Sequence, residues 1–143
     1  DALASVVASL ADVGRQAGAD VVCGIEARGF VLAAPVAVEL GVGFVPVRKP
    51  GKLPWRSVSR SYELEYGTDA LEVHADAVGR GSRVLVVDDV LATGGTAVAT
   101  CELIGSLGAM VVGVAVLIEL AFLGGRPKLG NHPLTSLLVY EGD

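Results

Sequence analysis

A chain of 143 residues, 52% hydrophobic and 19% charged, suits one folded domain and excludes a disordered one. A net charge of −5 argues against a general nucleic-acid binder, and only two cysteines, Cys23 and Cys101, exclude a disulfide scaffold and lack metal-ligand spacing. The longest uncharged apolar run, 109–118, is about half a membrane span, and no basic leader opens the chain, so neither a membrane span nor a signal peptide is expected and a reduced cytoplasmic setting is. In chain order, Ala2, Val6, Leu10 and Val13 fall at helical spacing, which predicts a helix over 2–17 ended by Gly18. Residues 20–25 read as a buried strand, 29–40 as a helix stopped by Gly41, and 42–47 as a second strand. Residues 49–61 hold Pro50, Gly51 and Pro54 among basic residues, which excludes regular helix and central strand and predicts a loop. Residues 62–66 resume as extended chain, and 79–81 form a turn. Val84 to Val87 is a buried strand, 88–95 a loop, 96–107 a helix, 110–118 a strand and 135–140 a last strand. Continuously apolar strands alternating with helices predict an α/β fold: a mainly parallel twisted sheet flanked by helices on both faces. In such folds ligands sit beyond the carboxyl ends of the strands.

The strongest local pattern is Val84-Leu85-Val86-Val87-Asp88-Asp89-Val90-Leu91-Ala92-Thr93-Gly94-Gly95-Thr96. It places two adjacent carboxylates at a strand end, followed by Thr-Gly-Gly-Thr opening a helix. The glycines let backbone N–H groups approach an anion, the hydroxyls of Thr93 and Thr96 can donate, and the helix N-terminus adds positive potential. Two acids beside a phosphate would repel it, so Asp88 and Asp89 must serve sugar hydroxyls or a metal. A plain strand–turn–helix with acidic caps needs neither the paired acids nor the Thr-Gly-Gly-Thr run. Neither G-x-x-x-x-G-K-[ST] nor G-x-G-x-x-G occurs, which disfavours a P-loop ATPase and a dinucleotide binder.

Residues 84–96 resemble, position by position, the 5-phosphoribosyl-1-pyrophosphate (PRPP) signature of the type I phosphoribosyltransferases. Gly24-Ile25-Glu26-Ala27-Arg28-Gly29-Phe30 is similar to the pyrophosphate loop of the adenine phosphoribosyltransferase family. Arg48-Lys49-Pro50-Gly51-Lys52-Leu53-Pro54, continuing through Ser61 to Gly67, resembles that family's flexible catalytic loop. The likeness continues through 117–120 and 125–129, and so spans almost the whole chain in order. It implies the type I phosphoribosyltransferase fold as a single domain over 1–143, with a catalytic lid at about 49–66. The family begins with a hood over the base that has no counterpart in this sequence.

The resemblance implies roles by position. Asp88 and Asp89 would hold the ribose hydroxyls; Ala92, Thr93, Gly94, Gly95 and Thr96 would bind the 5-phosphate. Ala27 and Arg28, with Arg48, Lys49 and Lys52, would meet pyrophosphate, and a non-proline cis peptide is expected at Ala27-Arg28. Glu65 and Tyr66 would close over the reaction centre, with Glu65 the candidate for proton transfer, and Leu120 would touch the base. The implied substrates are adenine and PRPP, with Mg²⁺ held mainly by PRPP rather than by protein ligands, and the implied assembly is a homodimer. Nucleic acid and membrane are not expected partners. The chemistry suits these residues directly: loss of pyrophosphate leaves an oxocarbenium-like sugar, and Arg28 and Lys52 can stabilise the departing charge while a lid excludes water.

Taken singly, these residues have plainer readings. Arg28 could cap a helix, the cluster of Arg48, Lys49, Lys52 and Arg56 could be a solvated loop, and Glu65 and Tyr66 could be strand residues. Trp55 suits lid packing or a dimer contact better than base stacking, and His74 and His132 lack partners at metal spacing. Two other functions fit parts of the pattern. A phosphoribosyltransferase for a 6-oxopurine or orotate is disfavoured by Glu-Ala-Arg-Gly-Phe and Leu-Glu-Tyr-Gly. A non-catalytic PRPP-binding regulator of DNA would need a basic appended module, which this acidic chain lacks.

Overall fold

A computed structural model of the chain describes residues 1–54, 56–64 and 67–142, without the side chains of 63, 64, 67 and 68. Three helices, seven strands and two short 3-10 turns are present among them. Helix α1 (Ala2–Ala17) is capped by Asp1, whose carboxylate accepts the Leu3 N–H at 3.0 Å, and ends on Gly18 in the left-handed region. Strand β1 (Val21–Ile25), helix α2 (Arg28–Leu40) and strand β2 (Gly43–Val47) follow. Strands β3 (Ser57–Leu64) and β4 (Gly67–His74) pair antiparallel as a separate two-stranded sheet. Strand β5 (Arg83–Leu91), helix α3 (Gly95–Ser106), strand β6 (Met110–Leu120) and strand β7 (Leu134–Tyr140) complete the chain.

The main sheet has the order β2-β1-β5-β6-β7, and every neighbouring pair is parallel. Alternate residues of one strand therefore serve two cores. Val22, Leu85, Val87 and Ala115 pack under Leu10, Leu32 and Val36 of α1 and α2. Cys23, Ile25, Val84, Val86, Val114 and Val116 pack under Cys101 and Ile104 of α3 and Leu71 and Val73 of β4. Both layers are apolar, which is why the strands read as continuous hydrophobic runs. One face is thus covered by two helices, and the other by α3 together with the β3–β4 hairpin.

Three expectations are corrected. Asp88 and Asp89 lie inside β5, not in a loop, because β6 is eleven residues long and stays paired with β5 to Leu91. Residues 57–61 are strand: Val58 lies opposite the fully buried Val73, and this alternating pattern seats the hairpin on α3. The non-proline cis peptide is at Glu26-Ala27, one bond before the expected Ala27-Arg28. Ala27 already has helical backbone angles, and its carbonyl accepts the Phe30 N–H at 3.2 Å, so the bond after it belongs to the entrance of α2.

The connections also place the site. From β1 the chain moves outward to β2, whereas from β5 it moves the other way to β6. The crevice between the carboxyl ends of β1 and β5 is the switch point where this architecture binds ligands. The last β1–β5 partners are Gly24 and Val87, so β5 continues alone on that side through Asp88 and Asp89.

Candidate active site

A cleft of about 240 Å³ opens at this switch point. Its wall includes Arg28, Lys49, Asp88, Asp89 and the run 92–96, so most of the residues singled out by sequence converge there. Ala27 lies between Glu26 and Arg28, which both line the cleft. Arg48 and Lys52 stand behind it and reach it through Glu26. Leu120 ends β6, half-buried and outside this wall. Glu65 and Tyr66 fall outside the described residues, as does Trp55.

The two acids differ in environment. Asp88 is pushed up to about 7, first by burial and then by Asp89 beside it, against the opposing Asp89 N–H and the Arg28 charge. Packing is tight here: a methyl group on Gly29 would stand 2.7 Å from Asp88 Oδ1, so only glycine lets α2 begin this close to β5. Asp89 faces the cleft and meets Arg28 across it at 3.2 Å.

The chain then turns through Ala92, Thr93 and Gly94 into α3. Gly94 has φ 91°, a left-handed conformation that suits glycine. No side chain caps α3 and no acid lies in its first turn. Its first N–H groups therefore face the cleft as unneutralised donors, a ready anion site. Asp88 and Asp89 do not serve as caps, which removes the plain strand–turn–helix reading.

The cations of the cleft already have carboxylate partners. Lys52 Nζ donates to Glu26 Oε2 at 2.6 Å, Arg48 Nε lies 3.5 Å from Glu26 Oε1, and the Lys49 N–H also bonds Glu26. Burial opposes ionisation of Glu26, but these partners outweigh it and hold its carboxyl below the ordinary range. Lys49 Nζ pairs with Asp69 and donates to Tyr62 Oη at 3.0 Å. Burial disfavours its charge, yet Asp69 and Tyr62 outweigh that and raise its pKa, while the Lys49 hydrogen bond lowers that of Asp69. Sequence reasoning missed Asp69 and Tyr62 as partners of Lys49. The period-two pattern of 57–74 was the available signal, because pairing Tyr62 with Asp69 in the hairpin brings both to one place.

The profile of the phosphoribosyl transferase domain family matches residues 2–129. An adenine phosphoribosyltransferase of Kineococcus radiotolerans is 62% identical over 136 residues, covering 95% of this chain and 74% of the relative. The chain belongs to the adenine phosphoribosyltransferase family. Among solved structures, the adenine phosphoribosyltransferase of Thermoanaerobacter pseudethanolicus superposes with a TM-score of 0.94 at 51% identity, over 97% of this chain and 81% of that one. That of Saccharomyces cerevisiae, complexed with an imino-altritol bisphosphate and adenine, gives 0.86 at 43% identity, over 95% and 77%. The fold is therefore the type I phosphoribosyltransferase fold, and the family is one of pentosyltransferases.

The family implies Mg²⁺. Among the described residues no three His, Cys, Asp or Glu side chains form a cation cage. Asp89 faces the cleft as a carboxylate, so an ion carried in on substrate oxygens would meet it as a neighbouring negative charge and take its ligands from the substrate and water.

Proposed function

We propose that the chain transfers the 5-phosphoribosyl group of PRPP to adenine, giving AMP and pyrophosphate, in adenine salvage. One observation carries this reading: a carboxylate pair, an uncapped helix N-terminus and a set of cations line or back a single cleft at the switch point. The likeness to adenine enzymes at up to 62% identity supports the choice of base.

In this mechanism Asp88 and Asp89 accept hydrogen bonds from the ribose hydroxyls. Thr93, Thr96 and the backbone N–H groups of 92–96 hold the 5-phosphate. The bond from C1 to the pyrophosphate oxygen breaks as a ring nitrogen of adenine bonds to C1, and that nitrogen's proton is lost. Arg28, Arg48, Lys49 and Lys52 offset the charge that builds on the departing pyrophosphate. Glu65 takes the proton and, with Tyr66, closes the lid over the sugar; Leu120 borders the base. Bound Mg²⁺, held by PRPP oxygens near Asp88 and Asp89, would add Lewis-acid stabilisation of the leaving group. A homodimer belongs to the proposal, as the resemblance to the family implies. So does a cytoplasmic location, consistent with two buried free thiols.

The deciding experiment follows AMP formation from labelled adenine with PRPP and Mg²⁺, beside hypoxanthine and guanine. Turnover of adenine alone is expected. Faster use of hypoxanthine would replace the base, and tight PRPP binding without turnover on any base would make the chain a binder. A second prediction concerns Asp89, which is partly exposed and whose main partner lies across the cleft. Asp89→Asn should weaken PRPP binding while the melting temperature stays close to wild type. Unchanged PRPP affinity by calorimetry would remove the ribose role.

A further inference from the structure

The segment joining β6 to β7, residues 121–133, has no part in the mechanism above. It replaces a connecting helix with two 3-10 turns, Ala121–Leu123 and Arg126–Leu129. So irregular a strap has few backbone bonds of its own and depends on side chains to fix it. Glu119, near the end of β6, is the anchor, with its side chain only 4% exposed. Arg126 meets it as a fork, Nη2 to Oε1 at 2.6 Å and Nε to Oε2 at 3.1 Å, and Ser136 Oγ on β7 donates to Oε1 at 2.7 Å. The Arg126 hydrogen bond leads in holding the Glu119 carboxyl below its ordinary range; burial opposes it and Ser136 adds to it.

Gly125, directly before Arg126, touches the 5-phosphate loop. A methyl group on Gly125 would stand 2.5 Å from the Ala92 carbonyl oxygen and 3.1 Å from the Gly94 nitrogen. The same addition on Gly94 would stand 2.9 Å from the Gly125 carbonyl oxygen. The two backbones therefore pack with no side chain between them. At the far end of the strap, Leu129 is buried in the core that holds Ala97 and Cys101 of α3.

We infer that Glu119 and Arg126 are positioning residues for the 5-phosphate loop. Their ion pair fixes the strap, and Gly125 at its edge fixes Ala92 to Gly94, so the loop amides stay aimed at one phosphate. This rests on the assignment of 92–96 to the 5-phosphate. Neither side chain lines the cleft, and the strap's contact there is with Ala92 to Gly94, so the consequence is confined to the 5-phosphate end of the ligand.

The test titrates the full chain with ribose 5-phosphate and, separately, with pyrophosphate and Mg²⁺, by calorimetry. Arg126→Ala should weaken ribose 5-phosphate about tenfold or more, as misplacement of a preorganised site does, and leave pyrophosphate affinity near wild type. Arg126→Lys keeps the charge but not the fork and should fall between; it carries the same test if the alanine variant does not fold. Unchanged ribose 5-phosphate affinity, or equal loss of both ligands, overturns the inference. Failure of the wild-type chain to bind ribose 5-phosphate overturns the assignment of the loop, and this inference with it.

Discussion

Arg28→Ala should lower kcat by roughly 100- to 1,000-fold, the range for loss of a single preorganised donor to developing charge. Arg28 is the first residue of α2, its side chain is 82% exposed, and its ion pair is to Asp89 across the cleft. Nothing in the core depends on it, so the melting temperature should hardly move. That separation of rate from stability is the signature to look for. The rate of AMP formation in a single-turnover experiment, which excludes product release, would show whether the loss lies in the chemical step. Wild-type turnover in Arg28→Ala would remove the arginine from the leaving-group role.

The second large effect is on stability, and its sign is unusual for a carboxylate. Asp88 titrates at about 7 in the folded chain against an ordinary value of 3.8, with burial as the first cause. Between these values the native state keeps a proton that the unfolded chain has lost. Stability of the ligand-free protein therefore falls as pH rises through this window. Asp88→Asn removes the dependence. The variant should match wild type near pH 4 and exceed it at pH 8, by at most roughly 4 kcal/mol at about 1.36 kcal/mol per unit. Glu26, Asp69 and Glu119, whose carboxyls are lowered, act in the opposite direction at more acid pH and are common to both proteins. Urea unfolding midpoints of the two proteins across pH 4–8 would isolate Asp88, and parallel profiles would show that its carboxyl titrates normally.

The buried parallel strands and the turn that opens α3 were the most legible parts of this chain. Val84 to Val87 is apolar on both faces because both faces are covered, and such runs leave little choice of structure. Helix α1 was legible at both ends, since Asp1 and Gly18 satisfy its terminal groups locally. The end of β5 was not legible. Asp88 and Asp89 read as loop because carboxylates seldom sit in strands, and their pairing is imposed by the length of β6. The hairpin was half legible: 62–66 read as extended chain, but the prolines just before it drew 57–61 into a loop, and the alternation of Leu71 and Val73 that makes β4 a strand went unread. The partners of Lys49 lie 13 and 20 residues away, and only the period-two pattern of 57–74 points to them. Glu119 and Arg126 are seven residues apart but meet across an irregular strap that no periodicity describes.

The ion pairs of the free cleft have a consequence for ligand choice. Arg28, Arg48, Lys49 and Lys52 each face a carboxylate before any substrate arrives. Three acids serve these four cations, since Arg48 and Lys52 share Glu26, so an anion that meets the cations must displace acids to do so. A ligand with several negative charges can displace several acids at once, and the return per bond broken grows with the number of charges it brings. The cation side of the cleft therefore favours ligands by the number of charges they bring: chloride exchanges one pair at most, while the sugar pyrophosphate of the proposed reaction brings enough charge to exchange several.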